Sequence, residues 1–357
     1  MRWLRQNKFM NTKMRQPARS KGVFSKWRDA LTACGLLHLL FLACAIQFAA
    51  AQTPKPESEE ILKIDTREVM LPVTVRDRSG NFVTGLKAAD FKIFEDNSEQ
   101  PISSFSLRQL PVNVILLIDT SSSVTKEIED FKNAAQNFGA KLNPTDQLSL
   151  IKFDDKVELI MDWTANRNAL KRGLNRLSTG MFTHFYDALW LAARDQFKPI
   201  TGRKAIIVLT DGIDSNRGRK TQEQALHSLL EAEVPVYVVS KTEIQRRHEK
   251  SELAFYRAQS TPDKIRVDGI KMSLEALDNS EEWLKKLTEE TGGRLFLPTS
   301  FDELDAVYNQ VAEELRSQYV IYYTPQNANK DGRYRAVKVK TDKPEYHVTS
   351  RLGYYPR

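Results

Sequence analysis

Asp119, Ser121 and Ser123 are the residues whose types and spacing most directly suggest chemistry. An Asp followed by two alternate serines offers three oxygen donors, only one of them charged. Such a set suits a hard divalent cation, Mg2+ (or Mn2+ or Ca2+), better than zinc or copper. Position strengthens the reading. Residues 112–118 (Val-Asn-Val-Ile-Leu-Leu-Ile) are a near-continuous β-branched and aliphatic run that stops on Asp119, the pattern of a strand buried on both faces of a parallel sheet. The triplet therefore falls at the carboxyl end of a strand, where open α/β sheets place their ligands. Taken alone, an Asp in this position serves equally well as a cap for a following helix.

The chain that must position this triplet has 357 residues, long enough for two domains with ample core. Its formal charge of +7 invites a nucleic-acid partner. The distribution of charge removes that reading: residues 1–51 hold nine of the 53 Lys and Arg and one of the 46 acids, which leaves 44 bases against 45 acids beyond them. This leader has the parts of a secretory signal, with a basic stretch ending at Arg28, an apolar run over 30–50, and Ala49-Ala50-Ala51 ahead of Gln52. An exported protein is expected, periplasmic, secreted or associated with the cell envelope. Residues 1–51 then act as a cleaved signal peptide or, given the length of the apolar run, as an uncleaved membrane anchor, the one membrane contact foreseen. Cys34 and Cys44 both lie in this segment, so disulfides and thiolate metal sites are excluded from the rest.

Residues 52–60 are Pro-rich and charged and read as a linker. In 61–110 the period is two: Val69, Leu71, Val73 and Val75 alternate with other residues, and short strands are expected at 91–94 and 102–107. From 111 to 316 strands and helices alternate. Strands are predicted at 112–118, 147–153, 204–209, 236–239 and 295–297, and helices through Phe131 and Phe138, through Leu170, Leu174 and Leu177, over 187–197, over 221–232, through Trp283 and Leu287, and over Leu304 to Leu315 behind a capping box at Ser300 and Glu303. This alternation argues for an α/β fold with a doubly wound, mostly parallel sheet. Residues 317–357 return to period two. The two outer segments are each short of strands for an independent sandwich, so one shared β-sandwich-like domain built from both flanks is expected.

Three elements stand in order at successive strand ends: Asp119-x-Ser121-x-Ser123, the Thr-bearing loop Gly180-Met181-Phe182-Thr183, and Thr210-Asp211-Gly212. Together they resemble the von Willebrand factor A-type domain, over roughly 112–316. The flanks, notably Val73-Thr74-Val75-Arg76-Asp77 and Arg316-Ser317-Gln318-Tyr319, resemble those of exported bacterial proteins that carry this domain. The resemblance implies a metal-ion-dependent adhesion site formed by Asp119, Ser121, Ser123, Thr183 and Asp211, and a partner protein that offers an Asp or Glu carboxylate. In such a site Ser121, Ser123 and Thr183 offer neutral hydroxyls, while Asp119 and Asp211 supply charge directly or by orienting metal-bound waters. Mg2+ with few anionic ligands keeps several waters and stays electrophilic, so a partner carboxylate can replace one of them. Many relatives place a Gly pair directly before the Thr; here Met181 and Phe182 intervene, so Thr179 competes with Thr183 for the position.

The function expected is therefore a non-enzymatic, metal-dependent protein-binding module. The alternative is a scaffold subunit of an envelope assembly that packs without metal. A serine hydrolase is a weaker reading: Ser123-Val124-Thr125-Lys126 satisfies Ser-x-x-Lys, but the companion Ser-Asp-Asn is missing and Lys241-Thr242 is followed by Glu243. His184 is a lone loop histidine, and His227, His248 and His347 show no metal spacing. Asp154 and Asp155 read as a strand-end turn and Asp214 as a helix cap. Residues 242–270 are the least regular stretch, with a charge run at 245–250 that reads as a solvated face and with helix allowed at 253–258. Because they follow a strand, they leave the sheet at the edge that carries Asp119 and Asp211. An insertion beside the metal site that contributes to partner selection is expected.

Overall fold

Alternation of buried and open positions builds β1 (Val69–Arg76) and β2 (Phe91–Glu95), and the shorter, more exposed strands β3 (Ser98–Gln100) and β4 (Ile102–Ser106) follow. The computed structural model describes residues 68–356 apart from 107–109, 216, 261 and 262. The expected leader, the linker at 52–60 and the first residues of the N-terminal β segment lie outside the described residues. Strand β3 was not foreseen. It follows a tight turn in which Asp96 and Asn97 take φ of 47° and 67°, a conformation that Asp and Asn tolerate better than most side chains.

The continuous apolar run becomes β5 (Val112–Asp119), and the alternating section continues as α1 (Ile128–Lys141), β6 (Gln147–Phe153), β7 (Val157–Thr164), α2 (Arg167–Leu174), α3 (Phe185–Leu191), β8 (Arg203–Thr210), α4 (Gln222–Ala232) and β9 (Val236–Ser240). Next come α5 (Thr242–Arg257), α6 (Lys264–Thr291), β10 (Arg294–Phe296) and α7 (Leu304–Ser317). Six of these strands form one sheet in the order β10-β9-β8-β5-β6-β7. All neighbours run parallel except β7, which is antiparallel to β6. Strand β5 is central, so its side chains divide between two cores. Val114, Leu116 and Ile118 pack with α1, α2 and α7, while Ile115 and Leu117 pack with α3, α4 and α6. This is the doubly wound α/β arrangement that the alternation predicts.

Strands β11 (Tyr319–Tyr323), β12 (Arg335–Thr341), β13 (His347–Thr349) and β14 (Gly353–Tyr354) complete two four-stranded sheets, ordered β13-β1-β11-β4 and β14-β12-β2-β3. Each contains strands from both ends of the described chain: β1 pairs antiparallel with β11 and β13, and β2 with β12. Val69, Leu71, Val73, Ile93, Ile321 and Val337 share one apolar core, where Phe91 meets Tyr319 edge-on at 5.2 Å. The described residues all belong to one compact unit, Ile64–Arg357.

Three expectations need correction. Residues 242–270 are not irregular: α5 and the start of α6 are regular helices packed on each other. Their charges pair along and between the helices, with Glu243 bound to Arg246 at 2.7 Å and Arg247 at 3.0 Å, and Arg246 also to Asp278 at 3.1 Å and Glu281 at 2.6 Å. Helix α2 ends at Leu174, leaving Leu177 beyond it. The start of α7 is held by Thr299, whose amide and hydroxyl both donate to Glu303 at 2.8 and 2.7 Å, and not by a capping box at Ser300.

Candidate metal centre

At the carboxyl end of β5 the chain turns sharply. The Asp119 carboxylate accepts the Ser121 amide at 2.9 Å on one oxygen and the Thr210 hydroxyl at 2.7 Å on the other. The first bond folds the Asp-Thr-Ser turn, and the second ties it to the end of the neighbouring strand β8. Asp119 is fully buried. Burial, followed by the nearby Asp211 charge, pushes its carboxyl up to about 7, against the opposing pull of the Ser121 and Thr210 hydrogen bonds. The turn also brings two hydroxyls together: Ser121 Oγ and Ser123 Oγ are hydrogen-bonded at 3.0 Å, with Ser121 buried and Ser123 open to solvent.

Strand β8 delivers Asp211. Its Oδ1 accepts the Ile213 amide at 3.1 Å, and its carbonyl accepts the Ser280 hydroxyl of α6 at 2.6 Å. Gly212 is required by this turn. It holds φ of +74°, and a Cβ there would lie 2.5 Å from Ser280 Oγ and 2.6 Å from a Leu284 methyl.

The threonine loop crosses the same edge. The Gly180 amide donates to the Thr120 carbonyl at 2.8 Å, and Ser122 Oγ donates to the Met181 carbonyl at 3.0 Å. Asp155, placed by sequence in a strand-end turn, braces this loop by accepting the amides of Met181 and Phe182, the latter at 2.8 Å, and these bonds hold its carboxyl below the usual carboxylate range. A Cβ on Gly180 would sit 2.7 Å from Asp154 Cγ, so only glycine permits the approach. Thr183 is buried and locked to Ser215, whose hydroxyl accepts its amide at 2.9 Å and whose amide donates to its carbonyl at 3.0 Å. Thr179 is exposed. Asp214 reaches back to the first turn of α3, accepting the Tyr186 amide at 3.2 Å.

One participant escaped the sequence reading. Lys241, between β9 and α5, donates its ammonium to the Ser123 carbonyl and lies 3.7 Å from Asp211 Oδ2. The stretch 242–270 thus begins at this edge, and Ser280 of the following helix braces Asp211. Lys241 was noticed only as part of an incomplete hydrolase motif; its place here depends on β9 lying beside β8, which local sequence does not encode.

The donor set is chemically coherent. Two carboxylates are accompanied by hydroxyls, and among the described residues no three His, Cys, Asp or Glu side chains converge. Such a set fits a hard cation that retains water, with Ser121, Ser123 and Thr183 able to ligate through hydroxyls and Asp119 and Asp211 able to supply charge. Both Asp119 oxygens are already engaged by protein donors, which suits the role of orienting neighbouring ligands better than that of a free bidentate ligand.

Residues 114–213 match the family model of the von Willebrand factor type A domain. That matched segment contains the whole candidate set: Asp119, Ser121, Ser123, Thr183 and Asp211. An uncharacterized protein of Synechocystis sp. is 31% identical over 109 residues, covering 29% of this chain and 26% of the other. The vWF domain of the type V pili tip protein Mfa5 from Porphyromonas gingivalis is 25% identical over 29% of this chain and 39% of that one, with a TM-score of 0.28. Proximal thread matrix protein 1 from the mussel byssus, solved with a zinc-occupied MIDAS motif, is 18% identical over 61% of this chain and 48% of that one, with a TM-score of 0.40. The chain thus spans about a quarter of its curated relative. Among the described residues no helix is long and apolar enough to cross a membrane.

Proposed function

We propose that the chain is an exported, non-enzymatic binding module that uses a divalent cation at the A-type segment to capture a carboxylate of a partner protein. The observation that carries this reading is the meeting of the Ser121 and Ser123 hydroxyls, hydrogen-bonded to each other at 3.0 Å, at the carboxyl end of the central strand beside Asp119. Two oxygens at ~2.1 Å from one ion and at right angles to each other stand about 3.0 Å apart, the octahedral spacing of Mg2+. The cation proposed is a hard divalent ion, Mg2+ (or Mn2+ or Ca2+).

Ser121, Ser123 and Thr183 would hold the ion through neutral oxygens. Asp119 and Asp211 would orient the neighbouring ligands and balance part of its charge. When bound, the cation would supply a Lewis-acid position for an incoming carboxylate. The Lys241 ammonium, already paired with Asp211, reduces the negative charge that such a carboxylate meets. Calorimetric titration of the full chain with Mg2+ tests the reading, with Asp119→Ala as the control variant. Saturable binding in the wild type, lost in Asp119→Ala while both proteins keep the same circular dichroism spectrum, is expected. Equal titration of the two proteins refutes the site.

A further inference from the structure

A cavity of about 560 Å3 opens beside the threonine loop, lined by Lys156, His184, Trp190, Arg217, Arg219 and Lys220, with Asp155 and Asp187 in its wall. Its charge is unbalanced in a specific way. Both Asp187 oxygens accept the Arg219 backbone amide, at 2.9 and 3.1 Å, and Asp155 is occupied by the amides of Met181 and Phe182. Among the described residues none of the four basic side chains forms an ion pair with a carboxylate. Two of them are instead held against aromatic faces. The Arg217 guanidinium lies 3.8 Å from the centroid of Phe182, and the Lys220 ammonium 4.0 Å from that of Trp190. A guanidinium held over an aromatic ring still has N–H groups to offer an oxyanion.

The cavity and the candidate metal centre share the threonine loop. Phe182, which carries Arg217, and His184, which lines the cavity, are the residues on either side of Thr183. We infer that this cavity receives further carboxylates of the same partner, so that the partner presents an acidic segment: one carboxylate to the cation and its acidic neighbours to Arg217, Lys220 and the adjoining bases. The inference rests on the function proposed above and names the class of partner, an acidic peptide stretch. Carboxylate is favoured over phosphate because the neighbouring centre calls for the same group.

Octaglutamate labelled with fluorescein is the probe, and its anisotropy with the full chain is read with Mg2+ and with EDTA. In Mg2+, the double variant Arg217→Gln, Lys220→Gln is expected to bind at least about tenfold more weakly and with a shallower salt dependence. Its melting temperature and Mg2+ affinity are expected to match the wild type. Unchanged octaglutamate affinity in that variant overturns the inference while leaving the metal reading intact. Binding that EDTA and Asp119→Ala leave untouched, but that the double variant loses, supports the cavity and refutes the metal-dependent function. Octaglutamine bound as tightly as octaglutamate, or an oligothymidylate bound more tightly, overturns the inference, the latter in favour of nucleic acid.

Discussion

Asp119 occupies a position where a carboxylate is costly to ionise. It is buried, Asp211 stands nearby, and its carboxyl is pushed up to about 7 from an ordinary value of 3.8. Between these two pH values the folded chain binds more protons at this site than the unfolded chain, so the contribution of Asp119 to stability falls as pH rises through the window. The metal-free protein should therefore melt at a lower temperature at pH 8 than at pH 5.5. Asp119→Asn should remove this component, and added Mg2+ should raise the melting temperature more at pH 8, where the ionised form exists to balance it. Scanning calorimetry at the two pH values checks this; a wild type that gains stability relative to Asp119→Asn as pH rises would contradict it. Lys241 yields a second test. Its ammonium acts as a fixed positive charge at the centre, and removing a like charge at this range favours a cation by about 1–3 kcal/mol at an effective dielectric near 20. Lys241→Met should tighten Mg2+ binding by about tenfold or more in the calorimeter, whereas weaker binding would show that Lys241 chiefly supports the Ser123 turn. The two residues also mark the limits of sequence reading. Asp119, Ser121 and Ser123 form a local pattern and could be seen at once, whereas Lys241 acts on Ser123 across 118 positions.

At the scale of elements, legibility followed the strength of burial. Strand β5, buried along nearly its whole length, is apparent as an unbroken apolar run, and so is β8. Strand β7 escaped because it is an antiparallel edge strand in which only Met161 is buried, and a half-solvated strand needs no clear alternation. Helix α5 and the start of α6 escaped for a related reason. Only Thr242 of α5 is buried, so its helical period is written in charges and not in apolar residues, and a charge run without its partner helix resembles a solvated loop. The Gly180 loop is an element whose path depends on one backbone position. Gly180→Ala places a methyl against Asp154 and forces the loop away from Thr120, at a cost of about 1–3 kcal/mol. Because the same shift carries Thr183 with it, Mg2+ affinity should drop as well. Urea unfolding and Mg2+ titration of this variant measure both effects, and a stability loss with unchanged Mg2+ affinity would remove Thr183 from the ligand set.

For the whole molecule, the α/β layers and the β sheets share polar joints as well as chain connections. Arg203, at the start of β8, donates to the carbonyls of Leu110 and Leu315 and to Gln318 Oε1 at 2.8 Å, and Gln318 in turn donates to the Tyr237 hydroxyl at 2.9 Å. This links β8, β9 and the end of α7 to the residue that precedes β11. Glu314 forms a second joint. Its side chain, 1% exposed on α7, binds Arg76 of β1 at 2.7 Å and faces Arg294 of β10 at 3.7 Å. Removing the acid leaves two cations near one another without their counter-ion. Breaking a buried pair in this way costs about 3–5 kcal/mol, and partial solvent access to both arginines places this case toward the lower figure. Glu314→Ala should therefore lower stability by about 3 kcal/mol, and Glu314→Gln, which keeps a hydrogen-bond acceptor, by less. The shape of the unfolding curve carries the further information. Strands β1 and β4 pair with β11, which lies on the far side of the α/β section in sequence, so unfolding one part deprives the other of neighbours. Urea unfolding followed by tryptophan fluorescence and by far-ultraviolet circular dichroism should give one coincident transition that moves as a whole in Glu314→Ala. Two transitions, only one of them displaced by the substitution, would show that the sheets built from the flanks and the metal-bearing section fold as independent units.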